Sequence, residues 1–140
     1  MRLIPIAASL GGDTGYCSVF KEIGAKYGPF DLCAIPVGAY EPRWFHRPAH
    51  LDPEEAVQVH QDVQSKASIA VHCCTWSLTD EPLDEPPLRL AAAVAAAGLQ
   101  PEAFVALKHG ERRVLPAVEA ADEAAAPPTN HRRRVGKLPA

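Results

Sequence analysis

The apolar positions of this chain fall into short runs that switch between helical and strand spacing, and that alternation predicts a layered α/β fold. Behind Gly12-Asp13-Thr14-Gly15, the residues Val19, Phe20, Ile23 and Tyr27 recur at helical spacing, and Gly28-Pro29 supplies a stop, so a helix is expected from about Ser18 to Lys26. The apolar run Phe30 to Val37, bounded by Pro29 and Gly38, reads as a buried strand with Pro36 at its end. An aromatic loop, Gly38 to Phe45, follows. Asp52-Pro53-Glu54-Glu55 is a helix start with aspartate as N-cap, proline at the first position and a glutamate able to close a capping box. Ala56, Val59, His60, Val63 and Ala67 share one face of that helix, which should run to about Ser65. Ser68 to His72 reads as a short buried strand. An alanine-rich helix opens at Pro86-Pro87 and ends at Gly98, and Ala103 to Leu107 reads as one more strand. Pattern alone leaves the pairing open, so the sheet could be parallel or mixed.

Composition narrows the class. A chain of 140 residues with 47% apolar content can bury one modest core. The formal charge of −3, without a basic stripe interleaved with aromatics, argues against a nucleic-acid partner. The four cysteines (Cys17, Cys33, Cys73 and Cys74) lack a disulfide-framework spacing and point to a reducing compartment. Residues 1–10 make a poor secretory signal, and Leu88 to Leu99 is too short to span a bilayer. An intracellular location, cytoplasmic or peripheral on membranes, is expected. From about Pro116 the chain turns to Ala, Pro and charge, including Arg132-Arg133-Arg134, and residues 116–140 are expected to form a disordered tail. The Arg cluster could draw the chain to anionic lipid or be simply solvated.

Two residues stand out chemically. Asp13 sits in a glycine turn that leaves room beside its carboxylate, which could bridge two cations or could close an ordinary Asx-turn. His72 falls where a strand leaves the sheet, as a zinc ligand or as a hydrogen-bonded histidine at the core edge. His50, just ahead of the capped helix, is a candidate for proton transfer or substrate contact, or a solvated loop residue. His60 lies on the apolar helical face and reads as a packing residue; His46 and His109 carry no cue. Cys73 and Cys74 could be soft ligands, but strand neighbours face opposite ways, so at most one could join His72.

Taken together, Gly12-Asp13-Thr14-Gly15-Tyr16-Cys17, Glu22-Ile23-Gly24, Gly28-Pro29-Phe30-Asp31-Leu32, Ala34-Ile35-Pro36, Gly38 to Phe45, His50 to Ala56 and Leu107-Lys108-His109-Gly110-Glu111 resemble the C-terminal part of the N-acyl-phosphatidylethanolamine-hydrolysing phospholipase D family, within the metallo-β-lactamase superfamily. The resemblance covers about residues 11 to 112. It implies the C-terminal half of an αββα sandwich, incomplete here, with residues 11–115 as a partial domain and residues 1–10 atypical. It further implies a phosphodiesterase with two Zn2+ ions that splits N-acyl-phosphatidylethanolamine into an N-acylethanolamine and phosphatidic acid. Asp13 would match the bridging aspartate, His72 the last histidine ligand and His50 a histidine lining the active-site cavity. Tyr40, Trp44 and Phe45 would contribute to an apolar groove for the phospholipid substrate, or else pack beneath the loop. The H-x-H-x-D-H ligand motif of the family does not occur in this sequence, and Cys73-Cys74 stand where the family has Trp-Gly. With two protein ligands the chain is expected to be inactive alone. The alternatives are a non-catalytic fragment that binds lipid or a full-length partner, or another hydrolase of the same fold. An isologous homodimer is a further option.

Overall fold

The computed structural model describes residues 8–114. The expected tail and most of the atypical N-terminal segment lie outside the described residues. The elements in chain order are β1 (Ala8–Leu10), α1 (Val19–Tyr27), β2 (Leu32–Pro36), α2 (Arg43–His46), α3 (Pro53–Asp62), β3 (Ser68–Val71), α4 (Glu85–Ala96) and β4 (Phe104–Val105). The four strands form one parallel sheet in the order β1-β2-β3-β4. Strand β1 was not legible as a run, and its three residues pair Ala8 with Leu32, Ser9 with Cys33 and Leu10 with Ala34. The ladder continues past its end, where Gly11 N–H donates to the Ala34 carbonyl at 2.8 Å.

Sequential parallel order with right-handed crossovers puts the helices on one face of the sheet. Burial along the strands agrees. Cys33, Ile35, Ser68 and Phe104 are buried on the helical side, where Val57, Val59, Leu90 and Val94 meet them. Ala34, Ile69 and Val105 form a register row on the opposite face and are only half-buried. Among the described residues the core is thus one-sided. Leu51, Leu90, Val37 and Phe104 are fully buried in it, each contributing roughly 1.5–3 kcal/mol by leaving water. No helix among the described residues is long and apolar enough to cross a membrane.

Helix α3 starts as its sequence dictates, with Asp52 Oδ1 accepting the Glu55 N–H at 2.8 Å. The expected capping box does not close. The Glu55 carboxylate turns outward instead and pairs with Arg43 at 2.6 Å and Arg47 at 3.2 Å. Two full charges offer a carboxylate more than one backbone donor does. Arg43 also reaches Asp52 at 3.2 Å, so short helix α2, inside what reads as a loop, is riveted to the start of α3.

His60 packs as expected, its Nδ1 2.8 Å from Ser68 Oγ and its ring stacked on Phe104. Burial pushes its imidazole below the ordinary 6.5. The unfolded chain therefore takes up a proton first as pH falls, and stability present above 6.5 is lost below it. Urea midpoints should drop between pH 7 and pH 5, and His60→Asn should flatten that fall; an unchanged slope in the variant would locate the acid sensitivity elsewhere.

Candidate metal centre

In a parallel sheet all strands point their C-terminal ends the same way, so the segments leaving β1, β2 and β3 gather along one edge. Asp13 follows β1, His50 lies between β2 and β3, and His72 follows β3 directly. Two close backbone approaches bring these segments into register. A Cβ on Gly15 would lie 2.5 Å from the Arg47 carbonyl oxygen, and one on Gly38 would lie 2.1 Å from that of His72. Only glycine permits either approach. Tyr16 fastens the first turn to α3, donating to Asp62 at 2.7 Å while accepting from Gln58 at 2.8 Å.

The result is a cluster. One ligand atom from each of Asp13, His50 and His72 lies within 4.8 Å of the others, and among the described residues this is the one such group of three. His72 Nε2 is 3.3 Å from Asp13 Oδ1, and the His50 and His72 rings are 5.5 Å apart. His50 Nδ1 is buried without a hydrogen-bond partner among the described residues. A buried imidazole nitrogen with no partner is costly unless something else meets it. Burial also pushes the His50 imidazole down, while Asp13 draws it up and His72 and His46 push it down further. The net effect keeps the ring neutral, the form that donates a lone pair to a metal. One carboxylate oxygen and two imidazole nitrogens fit a borderline divalent cation. His50, read as lining a cavity, stands in this cluster as a third donor.

The expected substrate aromatics separate. Trp44 is 84% exposed and Phe45 is 64% exposed, and their rings continue through His46 to His50 at centroid spacings of 5.7, 4.9 and 5.5 Å. Tyr40 is a correction: it is fully buried, donates to Glu85 at 2.8 Å and lies beneath the Arg89 guanidinium. It supports the aromatic loop and cannot line a groove. His46, which carried no cue, owes its place to α2, whose last turn sets the His50 N–H on the His46 carbonyl.

Cys73 and Cys74 lie past the end of β3, so strand alternation does not govern them. Both line a cavity of about 230 Å³ beside His72, together with Trp76, Leu78 and Leu83, and the two thiols contact each other. Neither joins the Asp13 cluster. Burial, then the Cys74 contact, pushes the Cys73 thiol up to about 12, which makes it a poor nucleophile. Cys74 has φ +62, a left-handed conformation that a side chain disfavours. Cys74→Gly should therefore raise stability by about 1 kcal/mol, read as a higher thermal midpoint.

Residues 7–73 match the Beta-lactamase superfamily domain profile. The chain is 48% identical over 103 residues to N-acyl-phosphatidylethanolamine-hydrolyzing phospholipase D 1 of Caenorhabditis elegans, covering 71% of this chain and 29% of that protein. It is 33% identical over 81 residues to the mitochondrial N-acyl-phosphatidylethanolamine-hydrolyzing phospholipase D of Saccharomyces cerevisiae, covering 56% and 17%. Its fold is similar to a metallo hydrolase from the archaeon Ignicoccus hospitalis, with a TM-score of 0.52 and 22% identity over 71% of this chain and 36% of that one. The chain thus spans less than a third of the length of these two curated relatives. Residues 7–73 thus form a domain of the beta-lactamase superfamily.

Proposed function

We propose that this chain supplies the Asp13, His50 and His72 part of the metal centre of a phospholipase D-type phosphodiesterase that hydrolyses N-acyl-phosphatidylethanolamine to an N-acylethanolamine and phosphatidic acid. The observation that carries this reading is the convergence of those three donors, within 4.8 Å, in a chain so similar to the C. elegans enzyme. Zinc is the cation the donor set favours. When bound there, it supplies Lewis acidity and lowers the pKa of water. Asp13 holds the site from β1, and its second oxygen suits it to a bridging role. His50 and His72 present imidazole nitrogens from the other two segments. These donors serve one cation, and a two-ion centre needs ligands beyond the described residues. Exposed Trp44 and Phe45, beside the imidazoles, suit contact with the headgroup region of a phospholipid surface, where indole rings settle well.

The test is a chimaera in which residues 11–112 replace the matching portion of the C. elegans relative. It should release N-acylethanolamine and phosphatidic acid from substrate vesicles, whereas the 140-residue chain alone should not. Hydrolysis of other phosphodiesters or of lactones, without turnover of this lipid, would keep the superfamily and reject the substrate. Asp13→Ala in the chimaera should abolish turnover.

A further inference from the structure

We infer that Glu81 is a positioning residue that fixes the separation of His50 and His72 by holding the backbone of residues 39–41. The inference rests on the proposed metal-site reading for its consequence, though its geometry stands independently. Glu81 is only 9% exposed, and each of its oxygens accepts backbone donors from one loop, with the Thr79 side chain also bonding the carboxylate. Oε1 accepts the Ala39 N–H at 2.7 Å and the Tyr40 N–H at 3.3 Å, and Oε2 accepts the Glu41 N–H at 3.0 Å. Three consecutive backbone donors converge because Ala39 adopts φ +62, which turns the chain into an anion-holding nest. Charge-assisted bonds of this kind hold their geometry tightly.

Both ends of that loop lead to the metal site. Upstream, Gly38 lies directly on the His72 peptide, with no room for a Cβ. Downstream, the Glu41 side chain accepts the Arg43 N–H at 3.0 Å, and Arg43 Nη1 donates to the His50 carbonyl at 2.8 Å. One carboxylate therefore sets the backbone path that touches both imidazole-bearing segments. The side chain of Tyr40 is anchored separately, by Glu85 and Arg89. What is left to Glu81 is the course of the backbone itself.

The experiment uses the 140-residue chain as wild type, Glu81→Gln and Glu81→Ala, with Val94→Ala as a core-destabilised control. The first readout needs no metal: the imidazole NMR resonances of His50 and His72 and the Overhauser contact between their rings. Glu81→Ala should shift both sets and weaken the contact. Glu81→Gln should shift them less, because its amide oxygen still accepts two N–H groups while its NH2 faces the third donor. Val94→Ala should leave them in place. The second readout is Zn2+ affinity by chelator competition, expected to fall about 10-fold or more in Glu81→Ala and to stay within about 2-fold in Val94→Ala, the range typical of a lost supporting contact. A folded Glu81→Ala protein with both imidazoles unmoved would overturn the inference. If Glu81→Ala does not fold, Glu81→Gln decides on the same resonances, and unmoved imidazoles there overturn it equally. Shifted imidazoles in Glu81→Ala, alongside a wild-type chain that takes up no zinc, would reject the metal-site reading and leave Glu81 in its positioning role.

Discussion

Asp13→Ala should weaken Zn2+ binding by this chain by about 100-fold or more, beyond what loss of a supporting contact costs. Three protein ligands are the usual complement of a catalytic zinc, and the cluster holds three, from segments after β1, between β2 and β3, and after β3. Removing the carboxylate leaves two imidazoles and takes away the one anionic donor in the group. The loss is larger than for either histidine, because the attraction between a dication and a carboxylate has no counterpart in an imidazole. Competition with a chromophoric chelator measures it directly. His109→Ala, outside the cluster, should bind zinc as the wild type does. Equal affinity in Asp13→Ala and wild type would show that this carboxylate is not a ligand.

The second large effect is on folding. Gly38→Ala places a methyl group 2.1 Å from the His72 carbonyl oxygen, a backbone atom with β3 directly behind it and no freedom to rotate away. Relief requires the segment after β2 to separate from the segment after β3, and β2 and β3 are the best-paired strands of the sheet. A cost of about 3 kcal/mol, the upper part of the overpacking range, is expected in urea unfolding. Gly12→Ala is the contrast, because a Cβ there meets nothing within 4 Å and should change stability by less than about 0.5 kcal/mol. Similar losses in both variants would mean that turn flexibility, rather than crowding, governs these loops.

The helices were largely legible because each announces itself locally. Asp52 and Pro53 start α3, and Gly98, with φ +70, ends the run of α4. Periodicity reports which residues are buried and says nothing about which strand lies beside which, so the wholly parallel order had to come from the structure. Strand β1 escaped notice because three residues carry no period. Glu55 was misread because its competing partners, Arg43 and Arg47, reach it only after α2 forms. For Tyr40 the sequence left substrate contact and packing beneath the loop open, because aromatics in a loop look the same whether they point out or in, and its burial selects packing.

The site itself was half legible. Asp13 and His72 could be singled out by turn and strand-end position, and the family resemblance gave His50 a place in the cavity. Its membership of a three-donor cluster depends on the Gly15 approach to residues 47 and 48, a tertiary fact. Glu81 gave no sign at all. In sequence it sits in a polar Thr-Asp-Glu-Pro stretch, and only folding turns its carboxylate inward.

Strand β1 is a three-residue strand on one outer margin of the ladder, and such margins open first when a protein breathes. Two of the three donors lie on segments that follow the inner, well-paired strands, whereas the carboxylate follows this one. A cation captured by all three would act as a clasp across the seam, suppressing fraying by mass action as its concentration exceeds its dissociation constant. Hydrogen exchange at Gly11 N–H would therefore slow when the ion is added, turning one amide into a gauge of whether the site has closed.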